Sequence, residues 1–177
     1  WVRILTAVDG STLLLRARQL NDDGVKADLL VRFQQRGLTA DRVTLEGNTS
    51  RKGMLAAYRD VDIALDPFPY GGTTTTFETL CMGVPIITLI GDRWVSRVGA
   101  SVLKTVGLDA LIAQSPDDYV AKAIELAHDL PRLSTLRSSL KHQVESSPVC
   151  DTAAFTHHLE QAFRQIWRSH CNKQPAN

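Results

Sequence analysis

The hydrophobic residues of this chain form short continuous runs, separated by longer stretches in which they recur every three or four positions. Continuous runs of this kind are typical of parallel strands buried on both faces, and the periodic stretches are typical of amphipathic helices. The predicted strands cover Ser11 to Arg16, Arg42 to Glu46, Ile63 to Leu65, Val84 to Leu89 and Leu111 to Ala113. The alternation predicts an α/β fold, with a Rossmann-like parallel sheet and helices on both of its faces.

Cap and stop residues set the bounds of the predicted helices. The helices outside the central stretch cover Trp1 to Val8, Asn21 to Arg36, Ser50 to Arg59, Arg97 to Val106 after a Ser96 cap, Ser115 to Asp129 and Pro131 to Val144, and a last one begins near Asp151. The start at Ser115 is the best defined, because a proline and two acidic residues follow the serine cap. The sheet is therefore followed by C-terminal helices.

The central stretch follows the strand Ile63 to Leu65. Two prolines and two glycines lie between Asp66 and Thr73, and Thr73 to Thr76 are four consecutive threonines. A helix is predicted to begin among the threonines and to end at Gly83, before the next strand. In such a βαβ unit the helix N-terminus lies at the carboxyl end of the sheet, where α/β folds bind ligands.

The residue types at this helix start favour an anionic ligand. Unpaired N–H groups and the helix dipole attract negative charge. Gly71 and Gly72 allow the backbone to approach a phosphate closely, and Thr73 to Thr75 add hydroxyl donors without adding charge. Glu78, one turn further on, is placed to accept hydrogen bonds from a pair of sugar hydroxyls.

A purely structural interpretation fits some of the same residues. Thr75 and Glu78 have the spacing of a capping box, in which both side chains only satisfy the amides of the first turn. A cap requires one hydroxyl, however, and four follow one another here.

The central stretch also resembles a known family. Residues 62–89, DIALDPFPYGGTTTTFETLCMGVPIITL, and the following residues 96–101, SRVGAS, are similar to the C-terminal catalytic lobe of the O-linked N-acetylglucosamine transferases, especially the bacterial SPINDLY-like members. The resemblance implies a GT-B glycosyltransferase whose C-terminal lobe binds a UDP-sugar. It implies that Thr73, Thr74 and Thr75 bind the diphosphate and that Glu78 binds the ribose.

The resemblance adds two residues upstream. Arg51 aligns with a family lysine, which implies a cation for the diphosphate, although a solvated surface charge is the alternative. Thr49 is expected near the base or the ribose. One position departs from the family, because Met54 replaces a histidine that many relatives have.

The resemblance also implies how the chain is divided. Residues 1–150 are expected to form the donor-binding lobe, with its first strand and a donor-binding lysine upstream of Trp1. Residues 151–177 are expected to form a helix whose apolar stripe packs toward an absent N-terminal lobe and is partly exposed here. Tetratricopeptide repeats are expected further upstream, and the fragment alone is expected to be inactive, with no catalytic residue of its own.

Composition gives no support to several other classes of function. The 177 residues carry a net charge of +1, which gives no reason to expect binding to nucleic acid or a membrane surface. Three widely spaced cysteines favour a reducing, cytoplasmic location, and Cys81 is expected in the core. The adjacent His157 and His158 diverge on a helix, so no metal site is predicted, and the reaction is expected to need no cofactor.

Three functions are compatible with the sequence. The chain is the donor-binding lobe of an enzyme that transfers N-acetylglucosamine from UDP-GlcNAc to serine or threonine hydroxyls of proteins, or of a related enzyme that uses GDP-fucose. Alternatively, it binds a nucleotide-sugar without turnover. In the third case it is an interaction module in which the threonines only cap a helix.

Overall fold

The structure is a computed structural model that describes residues 1–173, and it contains five short strands. They are β1 (Leu13–Arg16), β2 (Val43–Glu46), β3 (Ala64–Leu65), β4 (Ile86–Leu89) and β5 (Ile112–Ala113). Every pairing is parallel: β1 pairs with β2, and β4 lies between β3 and β5. The predicted strands are all present, although β3 and β5 are only two residues long.

Eight α-helices flank the strands within the described residues. They are α1 (Val2–Ala7), α2 (Asp23–Gln34), α3 (Arg51–Ala57), α4 (Thr74–Cys81), α5 (Val98–Val106), α6 (Pro116–His128), α7 (Leu130–Glu145) and α8 (Thr152–Lys173). Ser50 and Ser115 cap α3 and α6 as predicted. The predicted Ser96 cap is wrong, because α5 begins after Arg97 and the Ser96 hydroxyl bonds to the Arg93 backbone instead. The α/β class with parallel strands is confirmed.

The larger hydrophobic core surrounds β4 and holds the helices around it. Its fully buried members come from α4 to α7 as well as from the strand, and include Leu80, Ile87, Leu103, Leu126 and Leu140. A smaller cluster lies under β1 and β2. The crossover helices α4 and α5 link consecutive parallel strands, so the start of α4 lies beside the carboxyl ends of β3 and β4.

Two predictions about exposure have different outcomes. Cys81 is exposed, so its predicted place in the core is wrong; it occupies the last position of α4, one residue beyond the buried Leu80. Successive helical residues point about 100° apart, which turns Cys81 away from the core. On α8 the apolar stripe is exposed as expected, with Phe163 at 62% and Trp167 at 65%.

The predicted division of the chain at residue 150 stays a prediction. Residues 174–177 of the second predicted unit lie outside the described residues. From residue 1 to residue 173, no helix has both the length and the apolar character needed to cross a membrane.

Candidate functional site

The N-terminus of α4 presents free donors. Thr73 is the N-cap residue, and its side chain accepts no hydrogen bond from the first turn. Thr75 lies inside the helix, so the predicted capping box at Thr75 and Glu78 is not formed. Because an α-helix leaves its first amides without intrahelical partners, the N–H groups of Thr74 to Thr76 are directed out of the helix end. This end therefore combines amide donors with the positive end of the helix dipole.

The four consecutive threonines differ in their exposure to solvent. Thr73, Thr74 and Thr75 are exposed, whereas Thr76 is fully buried. Among the described residues the Thr76 Oγ1 atom has no hydrogen-bond partner. A Cβ atom at Gly72 would lie 2.4 Å from Thr75 Oγ1 and 2.9 Å from Thr76 Oγ1. Gly72 thus allows these two hydroxyls to pack against the turn.

The two glycine amides before α4 are engaged within the protein. Gly72 donates its N–H to Asp66 Oδ1 at 2.7 Å, and Gly71 donates to the Val95 carbonyl at 3.3 Å. In this arrangement Gly72 contributes shape to the site, while the backbone donors facing outward are those of α4.

Asp66 is a residue of the site that sequence reasoning missed. It follows β3 directly and is 3% exposed. Its Oδ2 atom accepts from the Thr88 hydroxyl at 2.7 Å, and its carbonyl accepts from the Tyr119 hydroxyl at 3.0 Å. Burial raises the pKa of the Asp66 carboxyl, and the hydrogen bonds from Gly72 and Thr88 partly offset that effect. The available signal was an acidic residue between a buried strand and a glycine turn.

Glu78 and Arg51 are brought together by α4 and α3. Arg51 Nη2 lies 3.3 Å from Glu78 Oε1, and the two side chains are 78% and 14% exposed. The sequence placed both residues at the site, and the structure pairs them beside the start of α4. Glu78 is therefore a largely enclosed carboxylate whose charge partner is mostly exposed to solvent.

A pair of hydroxyls fixes α3 against α4. Thr79 Oγ1 lies 2.9 Å from the Tyr58 hydroxyl and also donates to the Thr75 carbonyl at 2.6 Å. Tyr58 directly follows α3, and Thr79 follows Glu78. The contact holds the helix that carries Arg51 next to the helix that carries Glu78.

Substituting Thr79 by valine is expected to lower the free energy of unfolding by about 1 kcal/mol, because a buried hydroxyl partner of Tyr58 is lost. Tyr58→Phe provides the matched removal of the other partner. Native-state hydrogen exchange on the single and double variants measures the coupling. Additive effects of the two substitutions would contradict the contact.

Thr49 is less closely tied to this site. It is exposed and precedes the Ser50 cap of α3, and its Oγ1 atom would lie 2.5 Å from a Cβ atom at Gly53. Within the described residues no hydrogen bond joins Thr49 to α4. Met54 is half-buried on the same helix.

The described residues contain no group of three or more histidine, cysteine, aspartate or glutamate side chains placed to hold a metal ion. The donors at the site are hydroxyls and backbone amides, with one cation at Arg51.

Parallel strands, a hydroxyl-rich helix start at their carboxyl end and an enclosed glutamate beside it are the features that the resemblance led us to expect in the C-terminal, Rossmann-like lobe of a GT-B glycosyltransferase. The sequence model of the family described as Glycosyl transferase family 41 matches residues 1–159. The chain belongs to this family, and the resemblance inferred from the central stretch is confirmed.

Proteins similar to this chain carry the names of N-acetylglucosamine transferases. The chain is 44% identical, over 97% of its length, to a probable UDP-N-acetylglucosamine–peptide N-acetylglucosaminyltransferase SPINDLY of Solanum lycopersicum and to the protein of the same name from Petunia hybrida. It matches the structure of a mutant O-GlcNAc transferase of Thermobaculum terrenum with a TM-score of 0.91 and 37% identity, over 97% of the chain. It spans 19% of the length of each plant protein and 33% of the bacterial chain.

Proposed function

We propose that this chain is the donor-binding lobe of an enzyme that transfers N-acetylglucosamine from UDP-GlcNAc to serine or threonine hydroxyls of proteins. The observation that carries the proposal is the start of α4, where Thr73, Thr74 and Thr75 are exposed and no side chain caps the first turn. The names of the relatives, which specify UDP-N-acetylglucosamine and a peptide, support the choice of donor and acceptor.

The proposed donor pose follows from the charges around α4. The diphosphate lies at the helix end, bound by the amides of the first turn, the hydroxyls of Thr73 to Thr75 and the shape of Gly72. Glu78 accepts hydrogen bonds from the ribose hydroxyls. Arg51, which pairs with Glu78 here, moves toward the diphosphate, since its exposed side chain is free to change partner. Thr49 lies toward the base.

In this proposal the lobe contributes to catalysis by binding and electrostatics. The helix end and the hydroxyls stabilise the negative charge that develops on the departing diphosphate. The other lobe holds the acceptor hydroxyl near the sugar, which lowers the entropy cost of bringing the two together. This chain supplies no general base; that role belongs to the other lobe or to the substrate. We take the reaction to be independent of metal ions and of other cofactors.

The proposal includes the surroundings of the lobe. The exposed stripe of α8, with Phe155, Phe163 and Trp167, is covered by the N-terminal lobe, because an apolar face of this extent marks a partner surface. Tetratricopeptide repeats precede that lobe, the location is cytoplasmic, and neither nucleic acid nor a membrane is a partner.

Titration of the full-length protein with UDP and with GDP tests the donor assignment. We expect UDP to bind more tightly than GDP, and UDP-GlcNAc to support transfer to a protein acceptor in the presence of EDTA. Tighter binding of GDP, with transfer from GDP-fucose, would identify GDP-fucose and not UDP-GlcNAc as the donor. Binding without transfer would leave a nucleotide-sugar-binding protein, and no binding of either nucleotide would favour an interaction module.

A further inference from the structure

Asp66 connects the turn before α4 to the core of the lobe. We infer that Asp66 is a positioning residue for the diphosphate: its carboxylate fixes the glycine turn, so that the donors of α4 are arranged before the nucleotide binds. This inference rests on the proposed function, because it concerns how the same site is held.

The two carboxylate oxygens bond to different segments. Oδ1 accepts from the Gly72 N–H at 2.7 Å, and Oδ2 accepts from the hydroxyl of Thr88 on β4, also at 2.7 Å. The backbone of the same residue is fixed by the Tyr119 hydroxyl of α6 at 3.0 Å. The turn is thereby fastened to the adjacent strand and to a helix that is remote in sequence.

The neighbouring glycines leave the space that this carboxylate occupies. A Cβ atom at Gly99 would lie 2.6 Å from Asp66 Oδ2 and 2.8 Å from Thr88 Oγ1, and one at Gly71 would lie 3.0 Å from Oδ2. Real Cβ contacts are essentially never shorter than 3.0 Å. Gly99 at the start of α5 and Gly71 in the turn therefore both lie close to the Asp66 carboxylate. At Gly99, a side chain of any size would clash with it.

Charge and position act in opposite directions at Asp66. A negative charge beneath an anion site repels the diphosphate. If only this electrostatic effect operated, removing the carboxylate would strengthen nucleotide binding. Releasing the Gly72 amide has the reverse effect, because the ligand must then pay to order the turn. The sign of the change in affinity separates the two effects.

The test compares variants of the full-length protein. Asp66→Ala is expected to raise the KM for the donor about tenfold, with a smaller change in kcat. Asp66→Asn retains an acceptor for the Gly72 amide and is expected to restore the KM to within about threefold of the unsubstituted protein. The control, Val144→Ala, truncates a buried residue of α7 and is expected to lower the melting temperature without raising the KM. An unchanged or lower KM in a folded Asp66→Ala protein would overturn the inference.

Hydrogen exchange of the unsubstituted protein keeps the test independent of whether Asp66→Ala folds. The Gly72 amide is expected to be protected before UDP is added, with the amides of Thr74 to Thr76 gaining protection on binding. A Gly72 amide that becomes protected only with UDP would show that the ligand, and not Asp66, forms the turn. If UDP does not bind the unsubstituted protein at all, the proposed function fails first, and the two failures are thus distinguishable.

Discussion

Replacing Glu78 by alanine in the full-length protein is expected to weaken UDP binding by about 1–3 kcal/mol, which is the cost of losing hydrogen bonds to a charged group. The carboxylate is only 14% exposed, so bonds from ribose hydroxyls form where water competes weakly. Arg51 pairs with Glu78 from a solvent-accessible position, and surface ion pairs contribute little, so the pair opposes ligand binding only weakly. Isothermal titration of both proteins with UDP measures the difference.

Glu125→Ala is the matched control for Glu78→Ala. Glu125 also pairs with an arginine, Arg132, at 2.7 Å, but it lies on α6, and its exposed pair is expected to leave UDP affinity unchanged. Glu78→Gln retains hydrogen-bond acceptance without the charge, and we expect an intermediate affinity. Equal UDP affinity in the Glu78→Ala and unsubstituted proteins would contradict the ribose assignment.

The sequence alone predicted the layout of this site for a physical reason. Strands buried on both faces have a distinctive apolar composition, and a helix that connects two of them must begin at their carboxyl ends. The positions of Thr73 to Thr75 and of Glu78 relative to the sheet follow from that connection. Arg51 was placed at the site by its alignment with a family lysine; the structure pairs it with Glu78, and its role toward the diphosphate stays a prediction.

The role of Asp66 could not be predicted in the same way. Its partners Thr88 and Tyr119 are 22 and 53 residues away in sequence, and neither pairing leaves a local pattern. The orphan hydroxyl of Thr76 likewise depends on tertiary packing, since the sequence gives four equivalent threonines. The prediction that Cys81 is buried was wrong because helical periodicity is least informative in the last turn of a helix only eight residues long.

The described part of the chain lacks the capping contact that the purely structural interpretation of the threonine cluster requires. A capping role would place one threonine at the N-cap with its hydroxyl bonded to the first turn, whereas Thr73 holds that position without such a bond. The exposed hydroxyls of Thr74 and Thr75 have no structural task of that kind. Exposed hydroxyls beside the free amides of a helix end are suited to an anionic ligand, and that role stays a prediction.

Leu80→Ala is expected to lower the free energy of unfolding of the lobe by about 2–5 kcal/mol, because the substitution leaves a cavity in a tightly packed core. Leu80 is fully buried and lies on α4, so the helix that presents the threonines depends on it for its anchorage. Native-state hydrogen exchange of the β4 amides in the full-length protein measures the loss locally, which avoids assuming that the whole protein unfolds in two states.

Leu130→Ala is the control for Leu80→Ala: it removes the same side-chain atoms from a leucine that is not part of the core. Leu130 is 65% exposed at the start of α7, so its truncation is expected to change stability by no more than about 0.5 kcal/mol. Saturating UDP is expected to restore part of the protection lost in Leu80→Ala, since a ligand that binds only the folded site stabilises it by mass action. If UDP binds and restores none of that protection, α4 is not the element that the nucleotide stabilises, and the diphosphate lies elsewhere.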